Sequence, residues 1–202
     1  MFQYNHNEHY AGLLPRQVPS PCRSAWEVGC GDGGFARRLS NQFSDAVMGI
    51  DKDRAMIECA RSLSGDRTIR FVEADFLQYP FEESFDFISA SASLHHMPFE
   101  QALVKMAALL HPGGVLAVLG LYREASLTDY TVALVAAPVN ICYALRHGWF
   151  SSGAPIKPPD MSLPEIRETV SSVLPGARLR RLLLWRYLLT WQKPQASTMG
   201  PP

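Results

Sequence analysis

Short apolar runs alternate with stretches of helical spacing through the middle of the chain. Ser24–Val28, Ala46–Ile50, Ile69–Glu73, Phe85–Ala90 and Val115–Leu121 read as strands. Between them Gly34–Phe43, Ala55–Leu63 and Phe99–Leu110 carry helical spacing. Such alternation predicts parallel strands joined by crossover helices, an α/β fold with an open doubly wound sheet.

The pattern changes after Leu121. Leu127–Arg146 reads as one long helix kinked at Pro138, and the proline-rich run Pro155–Asp160 as a loop that cannot extend it. Ser162-Leu-Pro-Glu165 spells a capping box, opening a helix that ends near Pro175-Gly176. Ala177–Leu184 and Trp185–Gln192 follow with almost no connection, which predicts a hairpin. A purely parallel sheet would contain none. Residues from Ala196 on read as a disordered tail.

Composition bounds the function. The chain has 202 residues, 47% of them hydrophobic and 19% charged, enough to bury one domain's core and too apolar for a disordered chain. Its 19 basic and 19 acidic residues cancel, which argues against a protein that coats a polyanion. Arg178, Arg180, Arg181 and Arg186 read as exposed faces of the hairpin rather than a nucleic-acid patch. Cys22, Cys30, Cys59 and Cys142 form no C-x-x-C pair and read as reduced thiols of a cytoplasmic protein. The first ten residues lack the basic start and apolar run of a secretory signal. Thr131–Leu145 spans about 15 residues, short of the roughly 20 a membrane span needs.

The strongest chemical signal is Glu27-Val-Gly-Cys-Gly-Asp-Gly-Gly34, between the first strand and the first helix. Glycines there let the backbone turn tightly and approach a ligand closely. The spelling satisfies both G-x-G-x-x-G and G-x-G-x-G, so the loop alone does not choose between a nicotinamide dinucleotide and another nucleoside cofactor. Three carboxylates narrow it. Glu27, just before the loop, can bind a cationic amino group directly or through water. Asp51 ends the second strand 22 residues after Gly29, where a carboxylate suits a ribose diol. Asp75 ends the third strand, where it can accept from an adenine amino group with Phe76 beside the ring. A nicotinamide reading gives Asp75 no task.

In this order, E-V-G-C-G-D-G, G-I-D-K, E-A-D-F-L-Q-Y-P-F, F-D-F-I, L-H-H-M and L-L-H-P-G-G resemble the class I S-adenosylmethionine-dependent methyltransferases. The likeness is to the small-molecule branch often called type 11 or 12, over Ala25–Leu121, about half the chain. It implies a Rossmann-like doubly wound sheet of seven strands, the last antiparallel, with helices on both faces. It also implies S-adenosylmethionine as cofactor and S-adenosylhomocysteine as product. Gly29, Cys30 and Gly31 would pack against the methionine part and ribose, and Asp51 would bind the ribose hydroxyls. Lys52 and Phe76 would flank the adenine and Asp75 accept from its amino group, with Ala74 beside it also binding the cofactor. Ala90 would face the methionine chain by its backbone. Gly33 and Gly34 need do no more than turn the chain.

Transfer from a sulfonium is an in-line displacement, so the protein must align the acceptor and exclude water. A base is needed only for an acceptor that must lose a proton. His95 and His96 are the candidates; the alternative is that they cap the next helix or line the cofactor pocket. The segment after the fourth strand lacks the Pro-Pro-aromatic, Pro-Cys and carboxylate patterns of DNA-amino, C5-pyrimidine and metal-assisted catechol methylation. A metal site built on His6, His9, His95 and His96 has no ligand spacing to support it. Tyr4, His9 and Tyr10 either close over donor or acceptor or belong to a frayed terminus.

The expected organisation is one domain over residues 1–195, with residues 1–24 as a cap and 122–160 as a lid that meets the acceptor. Residues 196–202 form the tail. The apolar, aromatic lid, including Trp149-Phe150, suits an apolar acceptor, or else is plain core or a dimer contact. The function expected is methyl transfer to a small organic acceptor by direct displacement without a metal, in a monomer or homodimer that binds neither nucleic acid nor membrane. The alternatives are a catalytically silent S-adenosylmethionine-binding partner subunit and, more remotely, an NAD(P)-dependent oxidoreductase.

Overall fold

The computed structural model describes residues 10, 12–42, 46–65, 68–124 and 157–195. Seven strands form one sheet: β1 (Ser24–Val28), β2 (Ala46–Asp51), β3 (Ile69–Glu73), β4 (Phe85–Ser91), β5 (Leu110–Leu121), β6 (Arg178–Arg181) and β7 (Arg186–Gln192). Their order is β3-β2-β1-β4-β5-β7-β6. β1 to β5 pair parallel, and β7 runs antiparallel to both β5 and β6. The seven-stranded sheet with an antiparallel last strand is therefore present.

Among the described residues four α-helices cover both faces: α1 (Gly34–Ser40), α2 (Arg54–Ser64), α3 (Phe99–Ala108) and α4 (Leu163–Val173). Alternation along the strands sorts the core into two layers. Trp26, Val28, Ile50 and Val118 meet Leu103 and Met106 of α3 and Ile166 of α4. Ala25, Val47, Phe87 and Leu119 meet Phe35 and Leu39 of α1 and Ile57 of α2. Chain order thus reverses between β1 and β4. In such sheets ligands bind at that crevice, outside the strands' carboxyl ends.

Local chemistry sets the boundaries. Asp53 caps α2, its Oδ1 accepting from Ala55 N–H at 2.9 Å and Met56 N–H at 3.3 Å. Ser162 caps α4, and Glu165 reaches back to accept from the Ser162 N–H at 2.6 Å. β5 begins at Leu110 rather than Val115, because a register shift against β4 takes the His-Pro-Gly-Gly run into the strand. After β5, Arg123 N–H donates to Met161 O at 2.8 Å, bringing 157–162 to the sheet's carboxyl edge.

Two expectations change: Arg186 is buried, and the hairpin strands end at Arg181 and resume at Arg186, leaving residues 182–185 as the connection. Arg186 is 7% exposed, not on an outer face, because it opens β7 opposite Leu121 and donates to Leu184 O at 2.8 Å. The hairpin turn holds Leu184 and Trp185 both at φ 57°, left-handed backbone that bulky residues adopt only under tertiary constraint. The Trp185 carbonyl accepts from Tyr122 N–H, and its indole donates to Glu124. The long helix at 127–146, the tail, Tyr4, His6, His9 and Cys142 lie outside the described residues.

Candidate active site

The glycine loop is stitched to β2. Gly29 and Cys30 donate their N–H groups to Ile50 O at 2.8 and 3.0 Å. Gly31 donates to Asp51 Oδ2 at 2.9 Å, while Asp51 Oδ1 accepts from Asp53 N–H at 3.0 Å. Ala74 N–H bonds the Asp51 carbonyl at 3.0 Å, tying the end of β3 to the same residue. Asp51 thus joins the glycine loop, the start of α2 and the turn after β3. With both oxygens oriented by backbone donors, the carboxylate keeps lone pairs for hydroxyl donors.

Gly29, Gly31 and Gly33 all have positive φ, at 68°, 52° and 74°. A side chain on Gly29 would overlap Ser93, and one on Gly33 would strike the Phe71 ring at 2.7 Å. Gly31 differs, with open space where a Cβ would stand. Packing therefore requires glycine at 29 and 33, whereas at 31 the bare backbone borders a gap into which a ligand can fit.

Glu27 lies beneath this loop, 3% exposed, its Oε2 accepting from Ala36 N–H in the first turn of α1 at 2.9 Å. Burial pushes its carboxyl well above the usual range, the Ala36 bond opposes this, and nearby Asp32 and Asp51 add to the rise. A cation arriving above it would relieve that burden. Burial likewise pushes the Cys30 thiol up, so it stays protonated and inert.

Asp75 is exposed at the end of β3, its Oδ1 accepting from Leu77 N–H at 2.7 Å. Lys52 is exposed beside Asp51. Phe76 is placed differently from the resemblance: its ring is 4% exposed and packs edge-on to Phe81, so its apolar face goes to the core. Ala90 is fully buried between Val28 and Val118, and β4 runs on to Ser91. Tyr10 also departs from expectation. It borders a hollow with Arg180, Arg181, Leu182 and Leu183, on the β6 flank, and three strands separate β1 from β6.

Beyond the β1/β4 crevice a cavity of about 290 Å³ opens. The one-turn helix Leu94–His96 forms one wall, Lys157, Asp160 and Met161 another, and Tyr187 a third. Both candidate histidines line it, with ring centroids 4.1 Å apart. His95 Nδ1 is buried without a hydrogen-bond partner among the described residues. Burial, then His96 and Lys157, holds His95 down to about 4. Burial, then Lys52 and Lys157, lowers His96 as well, with Asp51 opposing. Sequence reasoning missed Tyr187, Asp160 and Ser93. Ser93 Oγ donates to Val28 O at 2.6 Å, closing the crevice floor. Only the alternating serines Ser89, Ser91 and Ser93 at the end of β4 hinted at it.

The comparisons agree with this architecture. A family model described as "Methyltransferase domain" matches residues 26–118. An uncharacterized methyltransferase of Mycobacterium tuberculosis is 34% identical over 203 residues, spanning 95% of this chain and 98% of that protein. The chain belongs to the class I S-adenosylmethionine-dependent methyltransferases. Trans-aconitate 2-methyltransferase of Escherichia coli is 40% identical over 108 residues, 52% of this methyltransferase and 42% of that protein. Among solved structures, N-methyltransferase NodS from Bradyrhizobium japonicum with S-adenosylhomocysteine superposes with a TM-score of 0.65 at 18% identity. It covers 95% of this chain and 89% of NodS. That likeness speaks to the fold.

The residues present suit the family's cofactor. Gly31 leaves open backbone, Asp51 offers oriented acceptors, and the buried Glu27 carboxyl favours a nearby cation.

Proposed function

We propose that this methyltransferase methylates a small organic acceptor held in the cavity beside His95 and His96, by direct displacement and without a metal. The observation that carries the reading is the cavity's position and size. It opens at the carboxyl ends of β4 and β5, lined by Leu94, His95 and His96 after the one and by Leu121 of the other, and about 290 Å³ is at the small end of ligand pockets, which run from roughly 300 to 1,000 Å³. A relative named for a small acid, trans-aconitate, supports the same class of acceptor. Among the described residues, no group of three or more His, Cys, Asp or Glu side chains gathers to hold an ion.

The bound cofactor supplies a methyl group already activated on a sulfonium. Asp51 holds the ribose hydroxyls, Gly31 lets the ligand lie against the loop, and Asp75 takes the adenine amino group. Leu94, Met97 and Met161 keep water from the acceptor, which raises the strength of every polar contact inside. Neutral His95 and His96 orient the acceptor, and where its nucleophile carries a proton, one of them receives it.

Calorimetry with S-adenosylhomocysteine, followed by turnover against a panel of small acids, amines and phenols, tests the reading. Methylated product from one class, unchanged by EDTA, is expected. Binding without turnover on any class would favour the silent partner subunit, and binding of NADH instead would sink both.

A further inference from the structure

Lys105 lies on α3, far along the chain from the site, yet its ammonium is spent on the turn that carries Asp75. Lys105 Nζ donates to Leu77 O at 2.9 Å and to Tyr79 O at 2.8 Å. It stands 5.5 Å from the Phe76 ring centroid and 4.8 Å from that of Phe81. The turn it grips is a single unit. Asp75 Oδ1 accepts from Leu77 N–H, and the Asp75 carbonyl accepts from Gln78 and Tyr79 N–H at 3.1 and 3.0 Å. Asp75 therefore closes one end of the turn, and Lys105 neutralises the outward-pointing carbonyls at the other. The two charges attract, and half-buried Lys105 loses hydration in exchange for these contacts.

We propose that Lys105 is a positioning residue for cofactor binding, holding the 75–79 turn so that Asp75 presents its carboxylate where the adenine amino group arrives. The proposal rests on the reading of Asp75 given above. It also ties the two halves of the site together. The helix that supplies Lys105 starts at Phe99, which lines the acceptor cavity with His95 and His96. A shift of α3 would move the adenine end and the acceptor end together.

Calorimetry with S-adenosylhomocysteine on the wild type, Lys105→Met, Lys105→Arg, Asp75→Ala and the double variant Lys105→Met/Asp75→Ala tests this. Loss of charge-assisted bonds that orient a ligand contact should weaken binding by about tenfold in Lys105→Met. Lys105→Arg, which keeps the cation and its donors, should recover most of it. In the Asp75→Ala background the Lys105→Met change should cost nothing further, since the group it positions is gone. Thermal unfolding checks that each variant is folded at the assay temperature. If Lys105→Met is not, Lys105→Gln, which keeps a donor and loses the charge, takes its place in the cycle. Wild-type affinity in Lys105→Met, or an equal loss in both backgrounds, overturns the proposal. A wild type that binds no S-adenosylhomocysteine overturns the reading of the site and this proposal with it.

Discussion

Ser93 packs directly onto the α-carbon of Gly29. The Ser93 hydroxyl bonds Val28 O at 2.6 Å, and any Cβ at position 29 would overlap its side chain. The floor of the crevice between β1 and β4 is thus formed by contact between residues that follow the two strands. The glycine at 29 is required by this packing as much as by its φ of 68°.

Substitution at the loop glycines should separate fold from ligand. Gly29→Ala adds left-handed strain to an overlap with Ser93, and a stability loss of more than about 2 kcal/mol is expected. Gly31→Ala meets nothing within 4 Å, so its cost to the fold should be limited to about 1 kcal/mol of backbone strain. Its cost to S-adenosylhomocysteine affinity should be larger, since the new methyl fills the open side. Urea unfolding with calorimetry checks both; equal stability losses would contradict the packing argument.

Asp51→Asn should keep the fold and lose the ligand. The amide retains an acceptor for the Gly31 or Asp53 N–H group, so a melting point within a few degrees of wild type is expected. Affinity for S-adenosylhomocysteine should fall by about tenfold to a hundredfold, as the charge-assisted bonds from the ribose hydroxyls are lost.

The sheet was legible because its signals are local. β1 and β3 fall on the expected residues, and the carboxylates at the ends of β2 and β3 follow from strand boundaries alone. What was not legible depends on contacts between distant segments. Phe76 turns inward because Phe81 and Lys105 receive it, and Tyr10 sits on the β6 flank because the 12–18 segment crosses that face on buried Leu14. The cavity wall at Lys157–Met161 is tied to the end of β5 by Arg123, whose N–H donates to Met161 O and whose Nε donates to Asp160 O, pairings that no spacing announces. The Leu184-Trp185 turn carries no glycine or asparagine to mark it.

Lys193 offers a control for Lys105. Its Nζ donates to Ala107, Ala108 and Leu110 carbonyls at 3.0, 3.2 and 2.7 Å, satisfying the carboxyl end of α3. Lys193→Met should therefore cost about 1–2 kcal/mol in urea unfolding. S-adenosylhomocysteine affinity should not change, because none of the carbonyls it holds belongs to the 75–79 turn. A comparable affinity loss at both lysines would mean that any loosening of α3 reaches the cofactor.

The two histidines should differ in what their replacement costs. With a folded value of about 4 against 6.5 in the unfolded chain, His95 is neutral in both states above roughly pH 6.5. Between 6.5 and 4 the unfolded chain takes up a proton that the folded one refuses, so stability falls as pH drops through that window. His95→Gln should flatten the acid limb of a melting-point profile between pH 7.5 and pH 4, while leaving its neutral plateau nearly unchanged. The same depression makes His95 a weak proton acceptor near neutrality, so its loss should raise the acceptor KM more than it lowers kcat. Burial and Lys52 also lower His96, but Asp51 opposes them, so under the proposed function His96 takes the base role. His96→Gln should lower kcat by about a hundredfold for an acceptor that must be deprotonated, and hardly at all for one that need not be. Full turnover in both variants, with S-adenosylhomocysteine affinity intact, would remove proton transfer from the roles of this pair and leave them orientation alone.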